Sequence, residues 1–345
     1  MVDYDLHAPS AGASPAAAIE ELPQSDASHS NRTVLVTGAS GFVGLHACRE
    51  LSRSGWRVRA LVRNRARAVR RLSGVRAQFV IGDMRDAAVL ANATRDADAI
   101  VHLAAIAIER PGQSYESVNA DATIALLRAA RAAGVKRLLH MSQNGASSAS
   151  PYRFLRSKGV AEDRVRASGL RWTVFRPSVI FGPEDEFVNV LARLVLLTPV
   201  IFPLPGGGEA RFQPVAVEDI ARAIGVALDR PDTEGQAYAM GGPEVLTLRQ
   251  IVERVLLAMG ARRILVGVPV PLLHPVVALA QRILPNPPVT SSLLDLLKLD
   301  NTVGDVSTWP DLGLSPTAFT PEALAYLASM RVSDALRAMA GKAGG

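Results

Sequence analysis

The sequence predicts an α/β protein in which a doubly wound parallel sheet carries a smaller, mainly C-terminal lobe. Short apolar runs, typical of strands buried on both faces, alternate with stretches of helical periodicity from about residue 33 onward. A glycine-rich turn separates the first apolar run from the first helix. Beyond residue 183 the chain becomes more apolar and richer in proline, which indicates a second lobe.

The first strand, turn and helix are contained in RTVLVTGASGFVGLHACREL, residues 32–51. Three glycines follow the spacing G-x-x-G-x-x-G. The first permits a tight turn, the second lets backbone N–H groups approach a pyrophosphate, and the third allows the helix to pack closely on the strand. Because a helix N-terminus attracts anions, the turn predicts a dinucleotide site. The residues expected to contact the nucleotide here are Gly38, Ser40, Gly41, Phe42, Val43 and Gly44.

Five further apolar runs are predicted to continue the sheet: WRVRALVR, AQFVIGD, DAIVHLAA, KRLLHMS and RWTVFRPSVIFG. They assign residues 32–182 to a dinucleotide-binding Rossmann domain, with 211–230 returning to it, and leave 183–210 and 231–345 for the smaller lobe. Residues 1–31 hold five acids and no Lys or Arg among many Ala, Ser and Pro, so they are predicted to form a disordered tail.

Composition argues against several classes of function. The formal net charge is +6, but no basic stripe is interleaved with aromatic residues, so nucleic acid is not an expected partner. Cys48 is the only cysteine, and therefore the chain cannot form an internal disulfide. The six histidines never fall at i, i+4 spacing or beside a second cysteine, so no metal site is predicted.

The end of the second strand indicates which dinucleotide is preferred. An NAD-binding protein usually offers Asp or Glu to the ribose 2′-hydroxyl about 20 residues after the glycines. Here the strand ends in Arg63-Asn64-Arg65, and a guanidinium pairs bidentately with a 2′-phosphate. We therefore expect NADP(H) to be preferred over NAD(H), with Arg63 as the main contact and Arg65 as a second candidate. The alternative is that these arginines only solvate the start of an Arg-rich helix.

Six motifs spread over residues 33–315 carry a family likeness. They are TGASGFVG, GDMRD, VHLAAIA, FRPSVIFGPEDEF, GGGEARFQPVAVEDIARAI and AYAMGGPEVLTLRQI. Together they resemble the extended and atypical short-chain dehydrogenase/reductases, which include NAD-dependent epimerases and dehydratases. The likeness is strongest to the complex I accessory-subunit group, the NAD(P)-binding Rossmann subunit of respiratory NADH:quinone oxidoreductase and its free-standing bacterial relatives.

The resemblance implies further contacts to the nucleotide at the ends of later strands. Asp83 and Met84, after the third strand, would lie beside the adenine. Ala104 and Ala105, after the fourth strand, would line the nicotinamide ribose. Pro177 would border the nicotinamide itself.

The resemblance also implies a catalytic centre, and there the sequence departs from the family. Ser142 and Lys158 match the family's serine and lysine, and the lysine would also bind the ribose hydroxyls. An active member has a tyrosine four residues before the lysine, whose ammonium lowers the phenol pKa so that the hydroxyl can move a proton. Phe154 occupies that position. Tyr152 is two residues further back, about 200° around a helix, so it points away unless the helix begins after it.

Three acids in PEDEF, Glu184, Asp185 and Glu186, precede the apolar stretch FVNVLARLVLL. Paired carboxylates suit acid–base catalysis, but a cluster at this position is more typical of a helix start, where the dipole favours anions. We therefore interpret these acids as a helix cap.

The segment ILVGVPVPLLHPVVALAQ, residues 264–281, carries no formal charge and contains three prolines. The prolines argue against a bilayer span. An apolar surface resting on a membrane or a partner is one interpretation, and ordinary core of the lobe is the other. The flanking arginines are Arg262, Arg263 and Arg282.

These features predict an NADP(H)-binding Rossmann protein of the complex I accessory type, in which the nucleotide is structural or regulatory. One alternative is an oxidoreductase or epimerase that acts on a hydrophobic substrate related to quinones or isoprenoids. A second alternative is a nucleotide-sensing regulator. The expected partners are the dinucleotide and either a respiratory complex or a membrane surface, and the expected location is the cytoplasm, free or on the inner face of the membrane.

Overall fold

The computed structural model describes residues 32–304 and 308–340, so the predicted tail at 1–31 lies outside the described residues. The strands are β1 (Thr33–Thr37), β2 (Arg57–Val62), β3 (Ala77–Ile81), β4 (Ala99–His102), β5 (Arg137–Met141), β6 (Arg171–Pro177), β7 (Ile180–Phe181), β8 (Ile201–Pro205), β9 (Arg211–Phe212), β10 (Val215–Ala216), β11 (Gln236–Met240), β12 (Leu246–Thr247) and β13 (Ile264–Val268). The α-helices are α1 (Phe42–Arg53), α2 (Arg65–Arg71), α3 (Ala87–Thr94), α4 (Ala122–Ala132), α5 (Arg153–Arg166), α6 (Val188–Leu197), α7 (Val217–Asp229), α8 (Leu248–Ala258), α9 (Val270–Ile283), α10 (Ser291–Leu296) and α11 (Val332–Met339).

Seven strands form one sheet in the order β3-β2-β1-β4-β5-β6-β11, and all neighbouring strands are parallel. The strand order reverses between β1 and β4, where the carboxyl ends of the strands open a crevice suited to a ligand. The predicted fold class, a doubly wound parallel sheet with a smaller lobe, is confirmed.

Helices cover both faces of the sheet, as the uniformly apolar strands require. On one face α1 packs against α7, and Leu51 and Ile224 are fully buried there. On the other face α3 packs against α4, with Leu90 and Leu126 in the core. The sheet is therefore held rigidly on both sides, and its carboxyl edge is left free for a site.

The boundaries of the second lobe are corrected at one strand. Residues 236–240, expected in the lobe, form β11 and pair with β6 at the edge of the main sheet. The Tyr238 ring packs edge-on against Phe175 of β6, with centroids 5.8 Å apart, and this contact explains why the strand returns to the sheet. Within the expected return at 211–230, α7 packs on α1, whereas β9 pairs with β12 in the lobe.

The lobe has its own apolar core, formed mainly where α6 packs against α8. Helix α8 begins at a capping box, in which Thr247 accepts a hydrogen bond from the Gln250 backbone and the Gln250 side chain accepts one from the Thr247 backbone. Within the two described ranges, no helix has both the length and the apolar content needed to cross a bilayer.

Candidate functional site

The glycine-rich turn after β1 leaves no room for side chains where two of its glycines lie. Gly38 has a φ of +70°, which favours glycine, and a Cβ on it would lie 2.8 Å from the Ala104 nitrogen. A Cβ on Gly44 would lie 2.1 Å from the Gly38 carbonyl oxygen. The turn therefore needs glycine at both positions to bring the start of α1 against β1, with the first N–H groups of the helix facing the crevice.

A cavity of about 440 Å³ lies over this turn. The exposed Arg63 follows β2 and lies in its wall, and so does Arg67 from the first turn of α2. The Asn64 side chain caps α2 by accepting a hydrogen bond from the Arg67 backbone at 2.9 Å, which fixes the first turn of this helix beside the cavity. The sequence offered Arg65 as a second candidate; Arg67, and not Arg65, lies in the cavity wall, and which of the two contacts a nucleotide stays a prediction. The available signal was Asn64, a typical helix-capping residue that puts Arg67 in the first turn of α2.

Opposite the arginines, Asp83 contributes a carboxylate to the same wall. Arg85 donates hydrogen bonds to both of its oxygens, at 2.9 and 2.8 Å, and these bonds hold the pKa of Asp83 below its usual range. The carboxylate is thus ionised and already paired. The predicted nucleotide contacts that line this cavity are Gly38, Ser40, Gly41, Phe42, Val43, Gly44, Arg63, Asp83, Met84, Ala104 and Ala105.

The cavity fits the diphosphate end of a dinucleotide. It combines a glycine cradle that any Cβ would fill, a helix N-terminus and two arginines. Two predicted contacts lie outside it. Pro177 is buried, with its carbonyl accepting a hydrogen bond from the Asn144 backbone at 2.9 Å, and Lys158 lies behind the end of β5. The role of these residues in binding a nucleotide stays a prediction.

The residue at which α5 begins determines where the side chains of Tyr152 and Phe154 lie. The helix begins at Arg153, and Tyr152 precedes it in an extended conformation. Phe154 is therefore in the first turn, one turn before Lys158, and its ring packs edge-on against Tyr115 with centroids 5.6 Å apart. Among the described residues, no hydrogen bond joins the Tyr152 hydroxyl to the Lys158 ammonium. The position of the family's tyrosine is occupied by a packed phenyl ring.

Lys158 is buried, and its ammonium donates a hydrogen bond to the Met141 carbonyl oxygen at 2.6 Å. Burial lowers its pKa to about 8, and the charge of Glu162, one turn further along α5, opposes this shift only in part. Glu162 is itself paired with Arg166 and Arg176. The neighbouring Ser142 is also buried, and its hydroxyl makes no hydrogen bond of ordinary geometry to a described residue.

Two buried histidines behind the site were not anticipated as a pair. His102 and His140 are partners on β4 and β5, with ring centroids 5.1 Å apart. The His102 nitrogens are 2.7 Å from the Thr37 hydroxyl and 2.8 Å from the Thr123 hydroxyl. Burial lowers the pKa of His102 to about 3 and that of His140 well below its ordinary value. Both imidazole rings are therefore neutral at physiological pH. Of His102, His140 and Lys158, only the lysine is charged there.

Of the three acids after β7 that were predicted to cap a helix, Asp185 does so, whereas Glu184 pairs with Arg71. Asp185 is buried, and one of its oxygens accepts hydrogen bonds from the Phe187 and Val188 backbone N–H groups at 2.7 and 2.5 Å. Its second oxygen accepts from the Asn189 side chain at 2.9 Å. Glu186, in contrast, is exposed and lies in the wall of two cavities.

A larger cavity, of about 1040 Å³, lies between the Rossmann domain and the lobe. Tyr152 and Phe154 lie in its wall at the Rossmann end, and the other walls are mostly aliphatic side chains from α6, α9 and α10. Glu186 lies in the wall of both this cavity and the small one. A bound dinucleotide and an apolar ligand would therefore be neighbours. The spacing of residues gave no signal of this cavity.

Comparison with known proteins assigns the family. A family model described as NAD(P)H-binding matches residues 38–193. Sterol demethylase protein B of Methylococcus capsulatus is 30% identical over 247 residues, which are 64% of this chain and 73% of that protein. The chain belongs to the NAD(P)-binding Rossmann family. Among solved structures of this fold, dTDP-glucose 4,6-dehydratase of Streptomyces venezuelae with NAD bound is 26% identical, with a TM-score of 0.65 and coverage of 86% of this chain and 95% of that one.

The chain is also similar to a respiratory-complex subunit and to a reductase. Subunit 9 of the NADH dehydrogenase [ubiquinone] 1 alpha subcomplex from Arabidopsis thaliana is 34% identical over 230 residues, 63% of this chain and 56% of that protein. Ceramide reductase of Caulobacter vibrioides is 33% identical over 191 residues, 55% of this chain and 59% of that protein. The chain thus spans little more than half the length of these two relatives.

Proposed function

We propose that this chain binds NADP(H) in the small cavity and keeps it as a structural or regulatory ligand. The observation that carries the proposal is Phe154. It fills the position one turn before Lys158, and its ring has no proton to give. A site that keeps the lysine and lacks the phenol retains a means of holding the nucleotide but not the usual acid–base group.

The preference for NADP(H) rests on the charges at the mouth of the small cavity. Arg63, just after β2, and Arg67, in the first turn of α2, both lie in its wall. The acid in the same wall, Asp83, has both oxygens engaged by Arg85. At the end of β2 the site therefore offers guanidinium groups to a ribose 2′-phosphate, and the nearby Asp83 carboxylate is already neutralised by Arg85.

The partner proposed for the whole protein is a respiratory NADH:quinone oxidoreductase, to which the chain would attach as an accessory subunit. This proposal is supported by the likeness to the alpha subcomplex subunit 9 proteins. The test is native mass spectrometry of the protein isolated from its own host. We expect one NADP(H) per chain and co-purifying respiratory subunits, whereas a chain that carries nucleotide but no partner would contradict the accessory role and favour a nucleotide sensor.

A second candidate function, reduction of a hydrophobic substrate, is favoured by a separate observation. The Tyr152 side chain lies in the wall of the large apolar cavity, and its hydroxyl has no hydrogen-bond partner among the described residues. A phenol at this place could donate to a substrate carbonyl. Two relatives are named for lipid chemistry, ceramide reductase and sterol demethylase protein B. Turnover of NADPH with a long-chain ketone or a quinone, abolished by Tyr152→Phe, would establish this function in place of the first.

The proposed location is the cytoplasm, with the chain attached peripherally to the inner face of the membrane. The support is the segment 264–281, which forms β13 and most of α9 and leaves several aliphatic side chains in solvent. Fractionation of host cells tests it. The chain should sediment with membranes at low salt.

A further inference from the structure

Helix α9 has two apolar faces, one toward the large cavity and one toward solvent. A helix at the surface of a globular protein normally buries a single apolar stripe. Val276 belongs to both faces, because it lines the cavity and is also 64% exposed. The rim of the cavity therefore reaches the outer surface along this helix. The other inward residues are Leu273, Val277 and Ala280, and the other outward ones are Leu272, Leu279 and Ile283.

Further aliphatic side chains are exposed on the short parallel pair of β8 and β13, and β13 leads directly into α9. Ile201 of β8 is 53% exposed and Ile264 of β13 is 62% exposed. We call the exposed aliphatic side chains of α9, β8 and β13 the apolar patch. Exposed aliphatic residues are normal when scattered singly, but a contiguous group of them marks an interaction site.

The segment that forms most of the apolar patch carries formal charges of one sign. Residues 261–294 contain three arginines and no Asp or Glu. Arg262 lies before β13 and Arg282 near the end of α9, and within the described residues neither makes an ion pair. The first acid beyond this segment, Asp295, is already paired with Lys298 at 2.7 Å and lies 3.3 Å from His274. The rim of the patch is thus cationic, which complements an anionic surface.

We propose that the apolar patch docks on an anionic lipid bilayer and that the large cavity takes up one long lipid chain from that bilayer beneath α9. This inference rests on the peripheral location proposed above and adds a ligand and a route. Aliphatic side chains flanked by arginines are the composition of an element that lies in the interface of a membrane. The continuous apolar path from the patch past Val276 into the cavity lets a chain enter without crossing water.

The cavity dimensions agree with this class of ligand. Its volume of about 1040 Å³ is slightly above the ~300–1000 Å³ typical of small-molecule pockets, as a long chain requires. Glu186 lines both this cavity and the small one, so a polar group of the lipid held near Glu186 would lie close to the nucleotide. A protein partner on the apolar patch would cover this entrance and would offer no lipid chain to the cavity.

Docking is tested with the full chain and vesicles of phosphatidylcholine, with or without phosphatidylglycerol. We expect flotation with the anionic vesicles and loss of it in high salt. Val276→Asp should weaken binding by roughly tenfold or more, since it puts a carboxylate at the rim of the cavity. Val69→Asp is the matched control, because Val69 is 46% exposed on α2 and the change in net charge is the same.

Uptake is tested by re-isolating the protein from these vesicles, doped with a prenylated quinone, and measuring bound lipid by native mass spectrometry. Ala280→Phe places a phenyl ring in the cavity beneath α9 and should reduce uptake severalfold while flotation persists. Ala278→Phe is the control, because Ala278 is exposed on the same helix. The proposal is overturned if the parent does not float, if the two aspartate variants float equally, or if the two phenylalanine variants carry equal lipid. Titration of the same samples with NADPH measures nucleotide binding independently. It therefore shows whether the nucleotide proposal holds even where lipid docking or uptake fails.

Discussion

The Lys158 ammonium lies 2.6 Å from the Met141 carbonyl oxygen, and this contact holds the lysine against the end of β5. No tyrosine shares the contact, since the residue one turn earlier is Phe154. The lysine is therefore a buried cation whose hydrogen bond is to the backbone, and its proton affinity is set mainly by burial.

The buried lysine predicts a specific dependence of stability on pH. Burial lowers the Lys158 pKa from 10.5 to about 8, so between these values the unfolded chain binds a proton that the folded chain does not. The free energy of unfolding should therefore rise with pH across this window, by about 3 kcal/mol in all at ~1.4 kcal/mol per pKa unit.

Urea unfolding at about pH 7 and about pH 10 measures this effect. Lys158→Met should remove the rise, whereas Lys136→Met, at an exposed position before β5, should keep it. Equal pH dependence in both variants would show that Lys158 titrates normally.

Arg63→Ala should weaken NADPH binding and leave NADH binding nearly unchanged. A charge-assisted hydrogen bond is worth ~1.5–3 kcal/mol, which corresponds to roughly 10- to 150-fold in the dissociation constant. Arg70→Ala is the control, because it removes the same charge from α2 at a position outside the cavity wall. Calorimetric titration of both nucleotides gives the comparison. If the parent binds NADH and NADPH equally, the assignment of the 2′-phosphate to Arg63 is wrong.

Phe154→Tyr should leave the NADPH dissociation constant nearly unchanged, because Phe154 lies outside the small cavity. The parent should show little or no hydride transfer to quinones or carbonyl compounds. General acid–base catalysis contributes about 10²–10⁴-fold, so the variant tests whether a phenol at this position restores measurable turnover. Ordinary enzymatic rates in the parent, unaffected by the substitution, would contradict the non-catalytic proposal.

Asp185→Ala should destabilise the lobe by about 2 kcal/mol, since it removes the acceptor for the backbone N–H groups that open α6. Asp185→Asn keeps one acceptor oxygen and should cost less. Glu186→Ala, at the exposed neighbouring position, is the control and should change the free energy of unfolding by less than about 0.5 kcal/mol. Thermal unfolding of the three variants ranks their stabilities. If Glu186→Ala were as unstable as Asp185→Ala, the assignment of the cap to Asp185 would be wrong.

Much of the fold and half of the site were predictable because they depend on residues close together in the sequence. The glycine turn is one case, since the space around Gly44 is taken by the Gly38 carbonyl six residues earlier. The capping box of Thr247 and Gln250 and the cap by Asp185 are others, each closed within four residues. For such features the spacing of residues in the sequence is enough to predict the contact.

The rest was decided by contacts between distant segments, which no local pattern reports. The position of Tyr152 depends on where α5 begins. Further along this helix the loop at Ser147 lies so close that a Cβ on Gly159 would be 2.1 Å from the Ser147 carbonyl carbon. Strand β11 joins the sheet through β6, and the large cavity is assembled from the Rossmann domain, α6, α9 and α10. The sequence by itself thus determined the nucleotide turn and the missing tyrosine. Only the tertiary structure decided what surrounds Lys158 and the apolar space beside it, because burial and cavities arise from packing between elements far apart in the chain.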